Sequence, residues 1–328
     1  MKQFSLLIVV VWALMSCTSK SSAPIERPRF DADSAYSFVE TQLSFGPRIP
    51  NSESHTRCAV WFIQKLRSYG FDVELQRGTM TDYAGKDQQV INILASRPSA
   101  SKAQPVLLAA HYDTRPWCDA EEEYQDRFYN VPGANDGASG VAVLLEIARQ
   151  ISLYAKDSVY GVPVEIALLD CEDGGTPSFY TGMQREDTWC LGAQLWALNY
   201  TQDGEGRKAK GEGYQYGVVL DMVGAPDAQF PREYYSSHYA PNYQEHIWRQ
   251  AKKLGYGRLF TNDYSLPITD DHYYINLGGV PCVDIIHYDA HTQTGFACWW
   301  HTREDNLQNI DKSTLQAVGE VILSCLNY

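Results

Sequence analysis

The sequence has no CxxC pair, and its cysteines follow no zinc-finger spacing, so a thiolate-held metal knuckle is excluded. Basic residues are scarce: Lys and Arg number 27 against 40 Asp and Glu, a formal net charge of −13. That balance argues against a nucleic-acid partner, whose phosphates need a basic surface. The apolar run near the start, Phe4 to Leu14, is shorter than the roughly 20 residues a membrane-spanning helix needs. No internal segment is rich in proline or serine, and no repeat recurs. The polar, Gly-rich stretch Thr201 to Gly213 is short enough to be a loop. One α/β domain behind a leader is the simplest organisation.

The leader has a positive start, Met1-Lys2, and then an apolar run of signal-peptide length. It ends in Leu14-Met15-Ser16-Cys17, which resembles a bacterial lipobox, where cleavage exposes a cysteine that is lipidated. We expect residues 1–16 to be a lipoprotein signal peptide and 17–30, polar and rich in serine, to be a flexible tether. Residues 31–328 are then the catalytic domain, exported and lipid-anchored at Cys17, touching a membrane only through that anchor. Loss of residues 1–16 removes one charge, Lys2, and takes the net charge from −13 to −14. An exported setting permits disulfides. Seven cysteines besides Cys17 is an odd number, so at least one thiol stays unpaired within the chain. Cys118 and Cys190, both in loops expected to flank the site, are the expected pair.

The remaining chain alternates between helical and extended patterns. Ser52 to Tyr69 carries Val60, Ile63 and Leu66 at helical spacing, and Gly70 suits a C-cap. Phe71 to Gln76 alternates apolar and polar as a half-buried strand does, and Val90 to Ala95 reads as another strand. The apolar runs Val106–Ala110, Val162–Leu169, Tyr216–Leu220 and Val280–Ile286 read as the central strands. Helices are expected over Asp136–Ile151, Leu191–Tyr200, Tyr243–Leu254 and Lys312–Leu326. This alternation predicts a largely parallel sheet with helices on both faces.

Ligands of such sheets bind beyond the carboxyl ends of the strands. Chemistry-bearing residues fall there four times. The first run leads into His111-Tyr-Asp113, the second into Asp170-Cys-Glu172-Asp173, the third into Asp221, and the fourth, after a loop, into Trp300-His301. Singly each has a plain structural explanation: His111 as a core histidine, Asp136 as a helix N-cap, Glu172 and Asp173 as turn acids, Asp221 as a strand cap, His301 as a surface residue. Four elements aiming imidazole or carboxylate at one rim make a site the better explanation. Those are donors that zinc takes, and a catalytic zinc keeps one position open. Neighbouring acids point different ways, so one of the pair Glu172-Asp173 can bind metal while the other moves a proton.

At this point the motifs acquire a family. His111-Tyr-Asp113, Gly133-Ala-Asn-Asp136-Gly-Ala-Ser-Gly140, Glu172-Asp173, Asp221 and His301 resemble, in order, the motifs of zinc aminopeptidases with a two-metal site. The match runs from about residue 31 to the end. Three more motifs resemble the glutaminyl cyclase branch of that superfamily: Asp221-Met-Val-Gly-Ala-Pro226 with Phe230-Pro231, Asp270-Asp271-His272 with Gly279-Val-Pro281, and Trp300-His301-Thr302 with Asp305-Asn306. The resemblance implies a single α/β domain with a mixed, mostly parallel central sheet flanked by helices. It implies one zinc on Asp136, Asp173 and His301, with Glu172 as acid and base. Asp221 and Asp271 would be its supporting carboxylates, and Trp300 a wall of the substrate pocket. The substrates implied are peptides or proteins with N-terminal glutamine, converted to pyroglutamate with release of ammonia.

The sequence also departs from that pattern. Asp173 stands where the best-known animal enzymes have Glu, and the loop Gly174 to Trp189 matches poorly. The family's second pocket tryptophan has no counterpart we can place there, with Phe179 or Tyr180 as substitutes. His111 and Asp113 are retained, which leaves room for a second ion on His111, oriented by Asp113. The alternative is a two-zinc aminopeptidase, in which Glu172 activates water, Asp136 bridges the metals and Asp271 has no role. A catalytically dead binding protein is disfavoured because no ligand position is missing.

Overall fold

The computed structural model describes residues 28–97, 101–154, 162–202 and 205–326. The expected signal peptide, Cys17 and all but the last three residues of the expected tether lie outside them. Phe30, expected in the tether, is already buried, and its ring packs where a Cβ on Gly319 would stand.

Two helices open the fold, α1 (Ala32–Ser44) and α2 (Glu53–Ser68), followed by a long hairpin of β1 (Asp72–Thr81) and β2 (Asp87–Ser96). Then come β3 (Val106–His111), α3 (Ala138–Tyr154), β4 (Val164–Leu169), α4 (Leu191–Thr201) and β5 (Gly217–Asp221). The last third contributes β6 (Phe230–Arg232), α5 (Tyr234–Tyr239), α6 (Pro241–Leu254), β7 (Phe260–Tyr264), α7 (Asp271–Leu277), β8 (Cys282–Ile286) and α8 (Lys312–Cys325). The six-stranded sheet has the order β1-β2-β4-β3-β5-β8. The pairs β1/β2 and β2/β4 are antiparallel, and β4/β3, β3/β5 and β5/β8 are parallel. The sheet is therefore mixed with a parallel centre, and β6 and β7 form a separate parallel pair.

Burial follows the period-two rule of strands. Val106, Leu108 and Ala110 of β3 join one core with α1, α2, α3, α6 and α8. Leu107 and Ala109 join a second core on the opposite face with α4 and α7. Both faces are covered, which is why the central strands are apolar throughout rather than alternating. Helix α3 lies close on the sheet: a Cβ on Gly140 would stand 2.1 Å from the Leu220 carbonyl, so only glycine permits that approach.

Every element expected from periodicity is present, with shifted ends. Helix α3 starts at Ala138 rather than Asp136, and β8 starts at Cys282 rather than Val280. Pro281, lacking an N–H, contributes only its carbonyl, to the Gly217 amide at 2.8 Å. Five elements were not foreseen. Helices α5 and α7 and strands β6 and β7 have three to seven residues each, too few to display a period. Helix α1 has the length, but its buried stripe of Ala35, Phe38 and Val39 ends in the polar Gln42. That amide is buried because it donates to the Ala138 carbonyl at 2.9 Å.

The expected Cys118–Cys190 disulfide is absent. All seven cysteines among the described residues are free thiols, six of them buried. The Cys190 sulfur points instead at the Glu172 carboxylate, 3.2 Å from Oε1.

Candidate active site

The parallel register brings the strand ends level: His111 lies opposite Leu169, and Asp221 opposite Ile286. Sharp turns then aim the side chains. Cys171, Met222 and His301 all have left-handed backbone, with φ of 55°, 49° and 55°. Asp113, at the β3 end, accepts the amides of Glu172 at 3.0 Å and Asp173 at 3.2 Å. Asp305 does the same for the loop before α3, accepting from Asn135 at 2.8 Å and Asp136 at 3.2 Å. Two buried carboxylates thus fix the backbone that carries the acids.

These constraints produce two triads that share Asp136. In one, His301 Nε2 lies 3.0 Å from Asp173 Oδ1 and 3.5 Å from Asp136 Oδ2. In the other, His111 Nε2 lies 3.0 Å from Asp136 Oδ1 and 3.1 Å from Asp221 Oδ1. Within each triad one ligand atom per residue lies within 4.8 Å of the others. The first triad is the expected ligand set. It fits a divalent cation: two carboxylates and an imidazole come from three elements, and the buried Asp173 Oδ2 has no hydrogen-bond partner. Behind it, His301 Nδ1 faces Asp119 Oδ1 at 3.6 Å, and Arg115 grips Asp119 with two bonds of 2.7 Å. Such a carboxylate orients a ligating imidazole. Burial raises the Asp119 carboxyl, but Arg115 and His301 outweigh it and hold the group well below the usual range.

Two expected placements change. Asp221, expected beside Glu172, lies instead on His111. Asp271, expected as the partner of Glu172, does not line the cavity; it is buried with both carboxylate oxygens unbonded. The residue that does face Glu172 is Asp270, which the sequence reading passed over. Asp270 lines the cavity, and its carboxylate, the Cys190 sulfur and the Glu172 carboxylate come within 4.8 Å of one another. The helix signal could have found it. Asp270 is the N-cap of α7, with extended backbone, and it accepts the Asp271 amide at 2.5 Å.

Burial pushes Glu172 well above the ordinary carboxyl range; Asp173, Asp270 and Asp271 add to the effect and His111 opposes it. Asp221 is pushed up to about 7, again mainly by burial. Burial works against charge on the two imidazoles, yet surrounding carboxylates raise both. His111 lies well above its usual value through Asp113, Asp136 and Asp221, and His301 lies at about 10, chiefly through Asp173. Each imidazole thus sits where a positive charge is strongly stabilised.

The acids open on a cavity of about 590 Å³. Asp136, Glu172, Asp173 and Asp270 lie on one side, and Trp189, Ile268, Ile286, Phe296 and Trp300 give the rest an apolar lining. Trp300 lies against His301, ring centres 3.4 Å apart, as expected of a pocket wall. The second tryptophan is Trp189, parallel to His301 within 4° and backed by Arg115 at 4.6 Å. Neither Phe179 nor Tyr180 takes that place: Phe179 packs on Trp117 and Phe128, and Tyr180 on Tyr83. Gly175 has its reason here, since a Cβ on it would lie 1.8 Å from the Trp189 ring.

A family model described as peptidase family M28 matches residues 92–326. Among solved structures, Tannerella forsythia glutaminyl cyclase is 42% identical, covering 92% of this chain and 99% of its own, with a TM-score of 0.84. A Zn-dependent exopeptidase from Parabacteroides distasonis is 40% identical with the same coverage and TM-score. Glutaminyl-peptide cyclotransferase of Bos taurus is 22% identical over 289 residues, covering 84% of this chain and 76% of that protein.

Proposed function

Since the chain belongs to peptidase family M28, we propose that it is a zinc-dependent glutaminyl-peptide cyclotransferase, an acyltransferase that closes N-terminal glutamine to pyroglutamate and releases ammonia. The observation that carries this reading is the pairing of Glu172 with Asp270 beside the Asp136–Asp173–His301 triad, in a cavity walled by Trp189 and Trp300. The likeness to glutaminyl cyclases over nearly the whole chain supports it.

Asp136, Asp173 and His301 would hold one zinc ion. Bound there, zinc supplies a Lewis acid for the γ-carbonyl oxygen of the substrate. The chain's own groups do the rest. Trp189 and Trp300 confine the glutamine side chain and favour the bent conformer in which amine and amide carbon meet, the main gain available to an intramolecular reaction. The α-nitrogen forms a bond to the side-chain amide carbon, Cδ, and the bond from that carbon to the amide nitrogen breaks. Glu172 takes a proton from the attacking amine and returns it to the departing ammonia. Asp270 lies within 4.8 Å of Glu172 and favours a proton on it, so the two titrate as a unit. The test is purified protein on a Gln-initiated peptide, with ammonia and free amino acid measured in parallel. Ammonia without free amino acid is expected; the reverse overturns the reading.

One observation favours a second reading. The triad His111, Asp136 and Asp221 could hold a second ion with Asp136 bridging, as in a two-zinc aminopeptidase. Two zinc ions per chain together with amino-acid release would establish it. We further propose export and lipidation at Cys17, resting on the lipobox-like Leu14 to Cys17. Unchanged membrane attachment of Cys17→Ser would refute that.

A further inference from the structure

The turn that carries Glu172 is held by a residue outside the reacting set. The Cys190 amide donates to the Glu172 carbonyl at 2.8 Å, and the Leu191 amide to the Cys171 carbonyl at 3.0 Å. The Cys190 side chain makes a third attachment, its sulfur 3.2 Å from Glu172 Oε1. Cys190 is fully buried. Burial and the neighbouring acids Glu172, Asp271 and Asp270 keep its thiol protonated, so the sulfur is the donor. The backbone adds an independent observation. Cys190 has φ 55° and ψ 36°, the left-handed region that disfavours any residue with a Cβ and suits glycine. The chain carries cysteine where glycine would fit with less strain, and the S–H is what glycine lacks.

We propose that Cys190 is a positioning residue for the proton carrier: its thiol donates to Oε1 of Glu172 and leaves Oε2 as the oxygen that serves the substrate. The inference rests on Glu172 moving the proton. It makes the thiol a part of the site's geometry without contact to substrate or metal, and it accounts for a strained cysteine at the start of α4.

The test compares Cys190→Ser, Cys190→Ala and Cys190→Gly in the zinc-loaded full chain, reading kcat, KM, zinc content and Tm on a Gln-peptide. Ala and Gly should lower kcat about tenfold, the size of a hydrogen bond to a charged group, with zinc content and KM unchanged. Ser, which keeps a donor, should restore kcat. Gly should hold or raise Tm, because it relieves the left-handed strain. A purely structural cysteine would give the opposite pattern: Gly fully active, or Ser falling as far as Ala. Either result overturns the proposal, as does a loss confined to KM. Wild-type protein that releases amino acid and no ammonia would instead overturn the cyclase reading. The same series is then read on that hydrolysis, where Glu172 also serves as base.

Discussion

The two triads that share Asp136 are built from the same residue types, yet they close differently. On the His111 side, one proton on Nε2 meets both carboxylates, at 3.0 and 3.1 Å. On the His301 side, a proton on Nε2 meets Asp173 at 3.0 Å but reaches Asp136 only at 3.5 Å, and Asp173 Oδ2 stays unpaired. The rise in imidazole basicity does not separate them, since both histidines are raised. Geometry and access do. His301 lines the cavity and His111 does not. On the His111 side a histidine can supply the positive charge by itself, whereas the His301 side leaves Asp173 Oδ2 unpaired, a donor set that suits a divalent charge. On that argument, whether this scaffold carries one ion or two depends on how well the His111 imidazolium satisfies Asp136 and Asp221.

The largest expected effect tests this asymmetry directly. His301→Ala should leave zinc far below stoichiometric and activity at background. His111→Ala should keep zinc and lose about 10- to 100-fold in activity, as when a residue that orients a ligand is removed. Metal analysis of both variants decides. Equal zinc loss in the two would mean that both triads bind metal and would break the comparison.

A smaller effect sharpens it. Glu172 belongs to the cavity side, next to a ligand without being one. Glu172→Gln should therefore fold, keep zinc and bind a Gln-peptide, while kcat falls about 10²- to 10⁴-fold, the usual contribution of a positioned proton carrier. Asp270→Asn should also damage kcat, because Glu172 loses a neighbouring charge that favours its proton. Asp271→Asn should damage it far less, since Asp271 does not reach the cavity. If Asp271→Asn proves the more damaging of the two, the pairing of Glu172 with Asp270 is wrong.

That reassignment shows where the sequence was legible. The strand-end rule located His111, Glu172, Asp173 and Asp221, because buried parallel strands are apolar runs whose ends are visible as the first polar residues. It gave no directions. Asp270 and Asp271 are adjacent acids of the same motif, and only the start of α7 between them decides which one faces the site. That helix has seven residues, too short to reveal its phase. Asp221 was misplaced for a related reason: its partner His111 lies 110 positions away, and only the β3–β5 pairing brings them together. Trp189 was missed because the loop before it matches the family poorly. Cys190 was misread because proximity to the site rim says nothing about where a sulfur points.

The smallest expected effect lies in the wall beside the His301 triad. Gly175 has no positive φ, so its need for glycine is purely spatial. An added methyl would stiffen the unfolded chain, a gain of about 0.4–1 kcal/mol, but it would press on the Trp189 ring, and overpacking of that kind costs about 1–3 kcal/mol. The steric loss wins, and Gly175→Ala should be destabilised by about 1–2 kcal/mol net of these opposing effects. Trp189 must then shift, and it is held between Arg115 and the cavity. An indole that confines substrate moves no proton, so KM should rise several-fold with kcat less affected and zinc unchanged. The His111 side should not respond. Thermal melting and steady-state kinetics on one Gln-peptide measure both parts. If Tm and KM both stay at wild-type values, Trp189 is not the wall of this pocket, and the His301 side is less closely built than the geometry implies.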